Sequence, residues 1–219
     1  MPAKSYYPLF ADLTGRRCLV VGGGTIAQRK VTTLLGYGAD VTVISPTATR
    51  RLHAYVRSGR IRYVPRVFRP ADLAGAWLVY ASTDDEAVNE SVYRSATRRR
   101  IFANVVDQPH RCSFIAPSIM RKDPLIIAVS TGGASPTVAK RLRQQLEQTI
   151  GSEYPRLLRL LASLREVAKA RLPSYQDRKR YFEAVLDGRV PRLVRARQTH
   201  AARREALALL RSHAADHRN

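Results

Sequence analysis

Residues 17–27 read Arg-Cys-Leu-Val-Val-Gly-Gly-Gly-Thr-Ile-Ala, and this stretch decides the fold. The apolar run that ends at Val21 is typical of a buried parallel strand, and the three glycines after it form a tight turn. From Thr25 onward the apolar residues recur at helical spacing, and residues 41–44 form a second apolar strand. A strand, a glycine turn, a helix and a second strand within about 30 residues indicate a βαβ unit.

Strands and helices continue to alternate along the first half of the chain. The patterns predict helices at 51–58 and 84–98, a short turn or helix at 70–73, and strands at 61–64, 77–81 and 102–106. Such alternation predicts an α/β fold, in which helices cover both faces of a Rossmann-like parallel sheet. We expect this domain to occupy residues 1–112.

The alternation stops after Asp107. Residues 113–120 and 125–130 are predicted to be two strands joined by a polar turn at 121–124, and therefore an antiparallel pair. We expect a small α+β region over residues 113–150.

The rest of the chain is predicted to be helical. Ser135 and Pro136 have the residue types of an N-cap and a first helical position, and the helix they open should end near Thr149. We expect an α-helical C-terminal tail over residues 151–219, basic in composition. The predicted breaks in the tail are Pro173, Gly188 and Pro191.

The glycine turn fits a dinucleotide-binding pattern. The pattern is G-x-G-x-x-[G/A], and it is met by Gly22, Gly23, Gly24, Thr25, Ile26 and Ala27. Its first glycine permits the turn, its third lets a pyrophosphate approach the backbone, and its alanine lets the helix lie close to the strand. The N–H groups at the start of that helix attract phosphates. The alternative is a purely structural turn.

The end of the second strand is where such folds place a carboxylate for the adenine ribose. This chain has Ser45, Pro46 and Thr47 there, so a ribose contact has to come from these residues. The missing carboxylate weakens discrimination against NADP, and Arg50 or Arg51 is a candidate partner for a 2′-phosphate.

Three more residues lie at predicted strand ends. Thr83 and Asp84 follow the fourth strand and are expected to contact the cofactor, although a plain N-cap role competes for Asp84. Asp107 follows the fifth strand, which we expect to be central, so its carboxylate should face the cofactor crevice. A turn cap is the alternative for Asp107.

Charge is the unusual feature of the composition. The chain of 219 residues has a formal net charge of +21, and most of its cations are arginines. Three explanations stay open: a nucleic-acid or membrane partner, a substrate with many carboxylates, and arginine spread over solvated faces without a specific role. The basic residues are dispersed, which gives the last explanation the most weight.

Other classes of protein find little support in the sequence. No apolar run approaches the roughly 20 residues that cross a bilayer. The first ten residues do not resemble a secretory signal. Cys18 and Cys112 lack the number and spacing of a disulfide framework, and the five histidines lack metal-ligand spacing. His213 and His217 are four residues apart but lie near the C-terminus. We expect a cytoplasmic protein with no stable metal site.

Seven segments, in order, also resemble a known family. They are residues 7–13, 18–24, 27–30, 81–85 with Val88 and Asn89, 104–107, 113–118 and 130–136. The glycine turn is generic, whereas the last three segments together are specific. On these residues the chain resembles the precorrin-2 dehydrogenase and sirohydrochlorin ferrochelatase family, the N-terminal module of siroheme synthase.

The resemblance implies an activity and an assembly. Family members pass hydride from precorrin-2 to NAD to give sirohydrochlorin, and many then insert ferrous iron. Their fold is an NAD-binding domain, a small dimerisation region, which would be 113–150 here, and a helical tail, assembled as a homodimer. The chain lacks the further residues of the fused methyltransferase form, so we do not expect it to make precorrin-2.

The resemblance also assigns residues. The family's key aspartate falls on Asp107, which would take the proton lost as hydride leaves and later help to deprotonate pyrrole nitrogens. His110 is a weaker candidate helper. The residues themselves suggest one more site: a second glycine turn at a helix N-terminus is a candidate site for substrate carboxylates, and a routine strand-to-helix connection is the alternative. This turn comprises Thr131, Gly132, Gly133 and Ser135, with Arg141 and Arg143 following.

Two other functions remain open at this point. One is a regulatory module that senses NAD without catalysis, and the carboxylate of Asp107 argues against it. The other is a nucleic-acid binder, for which the basic tail is the sole support. We therefore expect a tetrapyrrole as substrate, NAD as cofactor, and no nucleic acid or membrane as partner.

Overall fold

The apolar runs of the first half of the chain pair into one parallel sheet in the computed structural model, which describes residues 5–215. Its five strands are β1 (Arg17–Val21), β2 (Asp40–Ile44), β3 (Ile61–Val64), β4 (Leu78–Ala81) and β5 (Phe102–Val105). They lie in the order β3-β2-β1-β4-β5, and every neighbouring pair is parallel. The predicted α/β, Rossmann-like sheet is confirmed.

Alternate residues of β1 face opposite sides of this sheet. Cys18 and Val20 belong to one buried cluster, and Leu19 and Val21 belong to another. Helices α1 (Thr25–Gly36), α2 (Arg50–Arg57) and α3 (Glu86–Arg98) complete the unit, together with short 3₁₀ turns at Pro70–Leu73 and Pro109–Arg111. A strand buried on both faces has to be apolar at every position, which explains the uninterrupted run that the sequence shows.

Both cysteines are buried, and they are not joined in a disulfide. Burial raises the pKa of the Cys18 thiol to about 11, and the nearby carboxylate of Asp40 acts in the same direction. Cys18 is therefore a small apolar core residue.

The chain divides into two compact units, the first ending at Ala116 and the second beginning at Pro117. The second unit contains an antiparallel pair, β6 (Ser118–Lys122) and β7 (Leu125–Val129), as predicted. Its helices are α4 (Pro136–Thr149), α5 (Glu153–Arg171), α6 (Tyr175–Asp187), α7 (Val190–Arg195) and α8 (Thr199–Ala215). The predicted helical tail is confirmed.

The helices of the tail enclose a core of their own. Leu164, Tyr181 and Leu210 are fully buried in it, and the Tyr181 hydroxyl donates to the Ala206 carbonyl at 3.1 Å. Such a bond satisfies the one polar group of a buried tyrosine.

Three predictions about a strand, a turn and a helix break are wrong in detail. The strand predicted at 113–120 begins only at Ser118, because Ser113 bonds the backbone of Ala103 in both directions and holds this segment against β5. The predicted turn at 121–124 is shorter, since Arg121 and Lys122 belong to β6 and pair with β7. Pro191 does not break the tail, because it lies in the first turn of α7, where a missing N–H costs little.

No helix within residues 5–215 combines the length and apolar character needed to cross a membrane. The cytoplasmic location stays a prediction.

Candidate cofactor-binding site

A cleft of about 410 Å³ opens at the carboxyl ends of the strands of the first unit. The order of the sheet reverses between β1 and β4, and ligands of such sheets bind outside this switch point. The cleft is lined by Val21, Gly22, Gly23, Gly24, Thr25, Ile26, Ile44, Ser45, Pro46, Thr47, Arg66, Val67, Phe68, Ser82, Thr83, Asp84, Asp85 and Val88. All ten residues predicted to contact the cofactor are among them.

The three glycines have different reasons to lack a side chain. Gly22 has a φ of +119°, and a Cβ there would lie 2.5 Å from the Ser82 carbonyl oxygen. A Cβ on Gly23 would lie 1.8 Å from the Thr47 carbonyl oxygen. A Cβ on Gly24 would meet nothing within 4 Å and would occupy the open cleft. The first two glycines therefore serve the fold, and the third leaves room for a ligand.

The start of α1 presents unpaired amides to this space. Gly24 is its N-cap, and no side chain caps the helix there. The first amides of a helix lack intrahelical partners, and together with the macrodipole they attract an anion. The empty space at Gly24 and these amides fit the diphosphate of a dinucleotide.

The loop after β2 is tied to the glycine turn. The Thr49 amide donates to the Gly23 carbonyl at 3.0 Å, and the Thr49 hydroxyl donates to the Gln28 side chain at 2.8 Å. Ser45 is buried, and its carbonyl accepts from the Tyr63 hydroxyl at 2.9 Å. These bonds fix the cleft wall formed by Ser45, Pro46 and Thr47.

The loop after β4 forms the opposite wall. The Thr83 hydroxyl lies 3.0 Å from the Asn89 side-chain oxygen, and the Asn89 amide donates to the Thr83 carbonyl at 2.9 Å. The N-cap of α3 is Asp85, whose carboxylate accepts from the Val88 amide at 3.1 Å. The alternative role of Asp84 as the cap is therefore wrong, and Asp84 lies exposed on the cleft.

The third wall of the cleft was not predicted from the sequence. Arg66, Val67 and Phe68 follow β3 and line the cleft. The Arg66 guanidinium donates to both oxygens of Asp72 at 2.8 and 2.6 Å, which lowers the pKa of Asp72. This wall could have been predicted, because the carboxyl ends of all parallel strands, β3 included, meet at one edge of the sheet.

Arg50 and Arg51, the predicted partners of a 2′-phosphate, do not line the cleft. Arg51 instead donates to the Tyr55 hydroxyl at 3.1 Å.

Asp107 lies at the same edge of the sheet, just beyond β5. It has a φ of +59°, a left-handed turn conformation that aspartate tolerates, and its side chain is exposed. The strand before it is an edge strand, so the expected central position is wrong. Asp107 is not among the residues that line the cleft, but the Lys30 ammonium of α1 interacts electrostatically with it.

Sequence models of three families match the chain in succession. The model described as putative NAD(P)-binding matches residues 9–118, sirohaem biosynthesis protein central matches 122–149, and sirohaem synthase dimerisation region matches 153–210. Siroheme synthase of Methylobacillus flagellatus is 46% identical over 196 residues, 90% of this chain and 42% of the relative. Siroheme synthase 2 of Yersinia enterocolitica is 42% identical over 181 residues, 83% of this chain and 38% of the relative.

The chain belongs to the siroheme synthase family. The resemblance drawn from the sequence is confirmed, and the first unit carries an NAD(P)-binding domain. A solved structure, SirC, precorrin-2 dehydrogenase, is similar with a TM-score of 0.73 and 27% identity, over 94% of this chain and 100% of that chain. This member of the siroheme synthase family spans about two fifths of the length of the curated relatives above.

The dimerisation region of the siroheme synthase family matches α5 to α8 of this chain, residues 153–210. Dimerisation was expected instead at residues 113–150, and this range contains residues 122–149, which match the model of the central region.

The second glycine turn lies in the second unit of this siroheme synthase family member. The Thr131 hydroxyl donates to the Ser135 carbonyl and accepts from the Ser135 amide, both at 3.0 Å, while Gly132 and Gly133 have positive φ. The Ser135 side chain caps α4 as predicted, by accepting from the Val138 amide. Arg141 is exposed, whereas Arg143 is paired with Glu147.

Residues 5–215 contain no cluster of three or more histidine, cysteine, aspartate or glutamate side chains suited to a metal ion. The ring of His213 bonds the Leu209 carbonyl at 2.9 Å, and His217 lies outside the described residues. His110 lies exposed in the turn that follows Asp107.

Proposed function

We propose that the chain oxidises precorrin-2 to sirohydrochlorin in siroheme biosynthesis, with NAD as the hydride acceptor. The observation that carries this proposal is the open cleft at Gly24, in a chain that is similar to SirC over almost its whole length. We also propose a role for each of the following site residues.

The cofactor's diphosphate lies against the glycine turn Gly22 to Ile26 and binds the amides at the start of α1, whereas the Gly22 amide donates to the Ile44 carbonyl at 2.9 Å. The ends of the cofactor contact the two loops around Ser45 to Thr47 and Thr83 to Asp84. We favour NAD over NADP because Arg66 is the one guanidinium among the described residues that line the cleft, and both of its terminal nitrogens are engaged by Asp72. A 2′-phosphate would have to compete with that carboxylate.

The bound cofactor supplies an acceptor for two electrons and one proton, transferred together as hydride. The substrate also loses a second proton as a new double bond forms, so the products are sirohydrochlorin, NADH and one proton. Asp107 takes this second proton, because a carboxylate is a suitable general base. Its exposed position leaves it accessible to a substrate.

The tetrapyrrole substrate carries many carboxylates. Thr131, Gly132, Gly133 and Ser135 at the start of α4 are the proposed site for them, with the exposed guanidinium of Arg141 as an ionic partner. This role would give the arginine excess a purpose. The match to a dimerisation region supports a homodimer.

Ferrous iron insertion into sirohydrochlorin is a second candidate activity. The relatives that share this region are named siroheme synthase, and siroheme contains iron. Asp107 would help to deprotonate the pyrrole nitrogens, and iron would be a substrate here.

Anaerobic incubation with precorrin-2 and NAD, with and without ferrous iron, tests the proposal. We expect NADH absorbance to appear with precorrin-2 alone, and the siroheme spectrum to appear only with iron. A module that merely senses NAD would bind it without reducing it, and that result would contradict the enzymatic assignment.

The variant Asp107→Asn tests the proposed base. We expect it to lower the rate of NADH formation at least a hundredfold, since general bases contribute roughly 10²–10⁴. Asp40→Asn is the matched control, because Asp40 lies at the opposite, amino end of β2. Equal rates in the two variants would remove Asp107 from the mechanism.

A further inference from the structure

The third wall of the cofactor cleft, Arg66 to Phe68, combines a guanidinium with an apolar surface. Val67 lines the cleft and is 56% exposed, while Phe68 beside it is buried. The side chain of Arg66 is 34% exposed at the same wall. An exposed apolar side chain next to a guanidinium suits a flat aromatic base that carries a phosphate nearby.

The order of the sheet decides which end of a dinucleotide meets this wall. β3, which precedes Arg66, is one edge strand, and β5, which precedes Asp107, is the other. The glycine turn after the central strand β1 is the proposed site of the diphosphate. With the nicotinamide directed toward Asp107, the adenosine extends toward the loops that follow β2 and β3. These loops are adjacent, since the Ser45 amide donates to the Val64 carbonyl at 3.2 Å.

The carboxylate of Asp72 engages both terminal nitrogens of the Arg66 guanidinium. Arg66 donates to the two carboxylate oxygens at 2.8 and 2.6 Å, and to the Val67 carbonyl at 2.9 Å. The side chain of Asp72 is only 12% exposed, and Asp72 is not among the described residues that line the cleft. The carboxylate therefore neutralises Arg66 without occupying the cleft itself.

Asp72 is held in place by its own surroundings in the 3₁₀ turn Pro70–Leu73. The Arg69 amide donates to the Asp72 carboxylate at 2.8 Å, and the Arg17 guanidinium donates to the Asp72 carbonyl at 3.2 Å. Leu73, the next residue, is fully buried. A bidentate ion pair is among the strong hydrogen-bonded contacts of proteins, so an incoming phosphate has to compete with a carboxylate that stays beside Arg66.

The other charges of the cleft also oppose an additional phosphate. Among the described residues that line it, the charged ones are Arg66, Asp84 and Asp85. With Arg66 neutralised by Asp72, two carboxylates remain. A phosphate monoester such as the 2′-phosphate of NADP adds about −1.5 to −2 charge at pH 7, whereas the ribose hydroxyl of NAD adds none.

We propose that Asp72 sets the cofactor preference of this cleft: by holding Arg66, it keeps that guanidinium from binding the 2′-phosphate of NADP. Asp72 acts through Arg66 and is therefore a positioning residue. The inference rests on the proposed use of NAD as the hydride acceptor and names the residue responsible for it.

Titration calorimetry with NAD and with NADP, in the absence of precorrin-2, tests the proposal. We expect the parent to bind NAD at least about tenfold more tightly than NADP. Asp72→Asn removes the charge but keeps an oxygen for the Arg69 amide, so it should bind NADP about tenfold more tightly than the parent does, and NAD within about threefold. Equal affinities of the parent for both cofactors, or an unchanged NADP affinity in Asp72→Asn, would overturn the proposal.

A double variant tests whether the effect passes through Arg66. Arg66→Gln alone should bind NADP no more tightly than the parent does. In Asp72→Asn/Arg66→Gln the gain in NADP affinity should disappear, because no guanidinium is freed. A gain that persisted there would contradict the proposal.

Asp40→Asn is the matched control for the loss of one negative charge. It breaks the ion pair of Asp40 with Arg62, and Asp40 lies at the amino end of β2, away from the cleft. The ratio of the two cofactor affinities should stay that of the parent. The same shift toward NADP in Asp40→Asn would assign the effect to net charge and overturn the role of Asp72.

Two further comparisons separate cofactor preference from folding and from catalysis. A merely structural role for Asp72 would weaken the binding of NAD and NADP alike in Asp72→Asn, and this result would overturn the proposal. Asp72→Ser, whose hydroxyl can also accept from the Arg69 amide, replaces Asp72→Asn if a melting curve shows that the latter is unfolded. The expected shift toward NADP in a protein that does not oxidise precorrin-2 would support the inference and count against the proposed function alone.

Discussion

At Gly23 and Gly24 two adjacent glycines meet opposite surroundings. The Thr47 carbonyl fills the space where a Gly23 side chain would lie, and the space at Gly24 is open. We expect Gly23→Ala to destabilise the protein by about 1–3 kcal/mol, because backbone has to move. Gly24→Ala should keep the parent's melting temperature and weaken NAD binding about tenfold or more, or roughly 1.4 kcal/mol.

Thermal melts and NAD titrations of both variants check this contrast. If Gly24→Ala bound NAD as tightly as the parent, the diphosphate could not lie against that position. If Gly23→Ala melted like the parent, the close approach of Thr47 would not hold in solution.

At the residue scale, the sequence predicted which side chains lie at the cleft better than it predicted their surroundings. The pattern G-x-G-x-x-A and the rule about strand ends were enough to name the glycine loop and Thr83. They did not explain why residue 23 has to be a glycine, because the carbonyl that excludes a side chain there belongs to a loop more than 20 residues away.

At the scale of elements, the segment after β3 is held by the pair of Arg66 and Asp72. Arg66 lowers the pKa of Asp72, so the pair's contribution to stability is fully present above the ordinary carboxyl pKa of about 3.9. It is lost as pH falls through the lowered value. We expect Asp72→Asn to lower the melting temperature at pH 7 by roughly 2–4 °C, and the difference to shrink toward pH 3.

Melting curves of the parent and Asp72→Asn across this pH range provide the measurement. Asp40→Asn, which removes the more exposed pair with Arg62, should have a smaller effect at pH 7. A difference between parent and Asp72→Asn that did not depend on pH would show that the carboxylate's charge is unimportant.

The helices and strands were predicted correctly where apolar residues recur with a clear period. The prediction was wrong where side chains form hydrogen bonds with the backbone. The buried strands and α4, with its Ser135 cap, were found from pattern and residue type. Residues 113–117 alternate like a strand, but the bonds from Ser113 and Phe114 to β5 hold them in another conformation. Such side-chain bonds leave no periodic trace in the sequence.

At the scale of the whole molecule, the helical tail has a hydrophobic core separate from those of the sheet. Leu164 is fully buried in it, whereas Leu186 of the same unit is 46% exposed. We expect Leu164→Ala to destabilise the second unit by about 2–5 kcal/mol through the cavity it leaves, and Leu186→Ala to have little effect. Below the melting transition, NAD affinity should be unchanged in both variants, because every residue that lines the cofactor cleft belongs to the first unit.

Calorimetry and NAD titration of the two leucine variants measure these effects together. Because each unit has its own core, destabilising one should move its own transition first. Suppose that Leu164→Ala weakened NAD binding in the folded protein and also lowered the melting temperature. The two units would then have to fold as one cooperative block. The cleft would then depend on the helical tail for its shape, although none of the tail residues that the structure describes lines it.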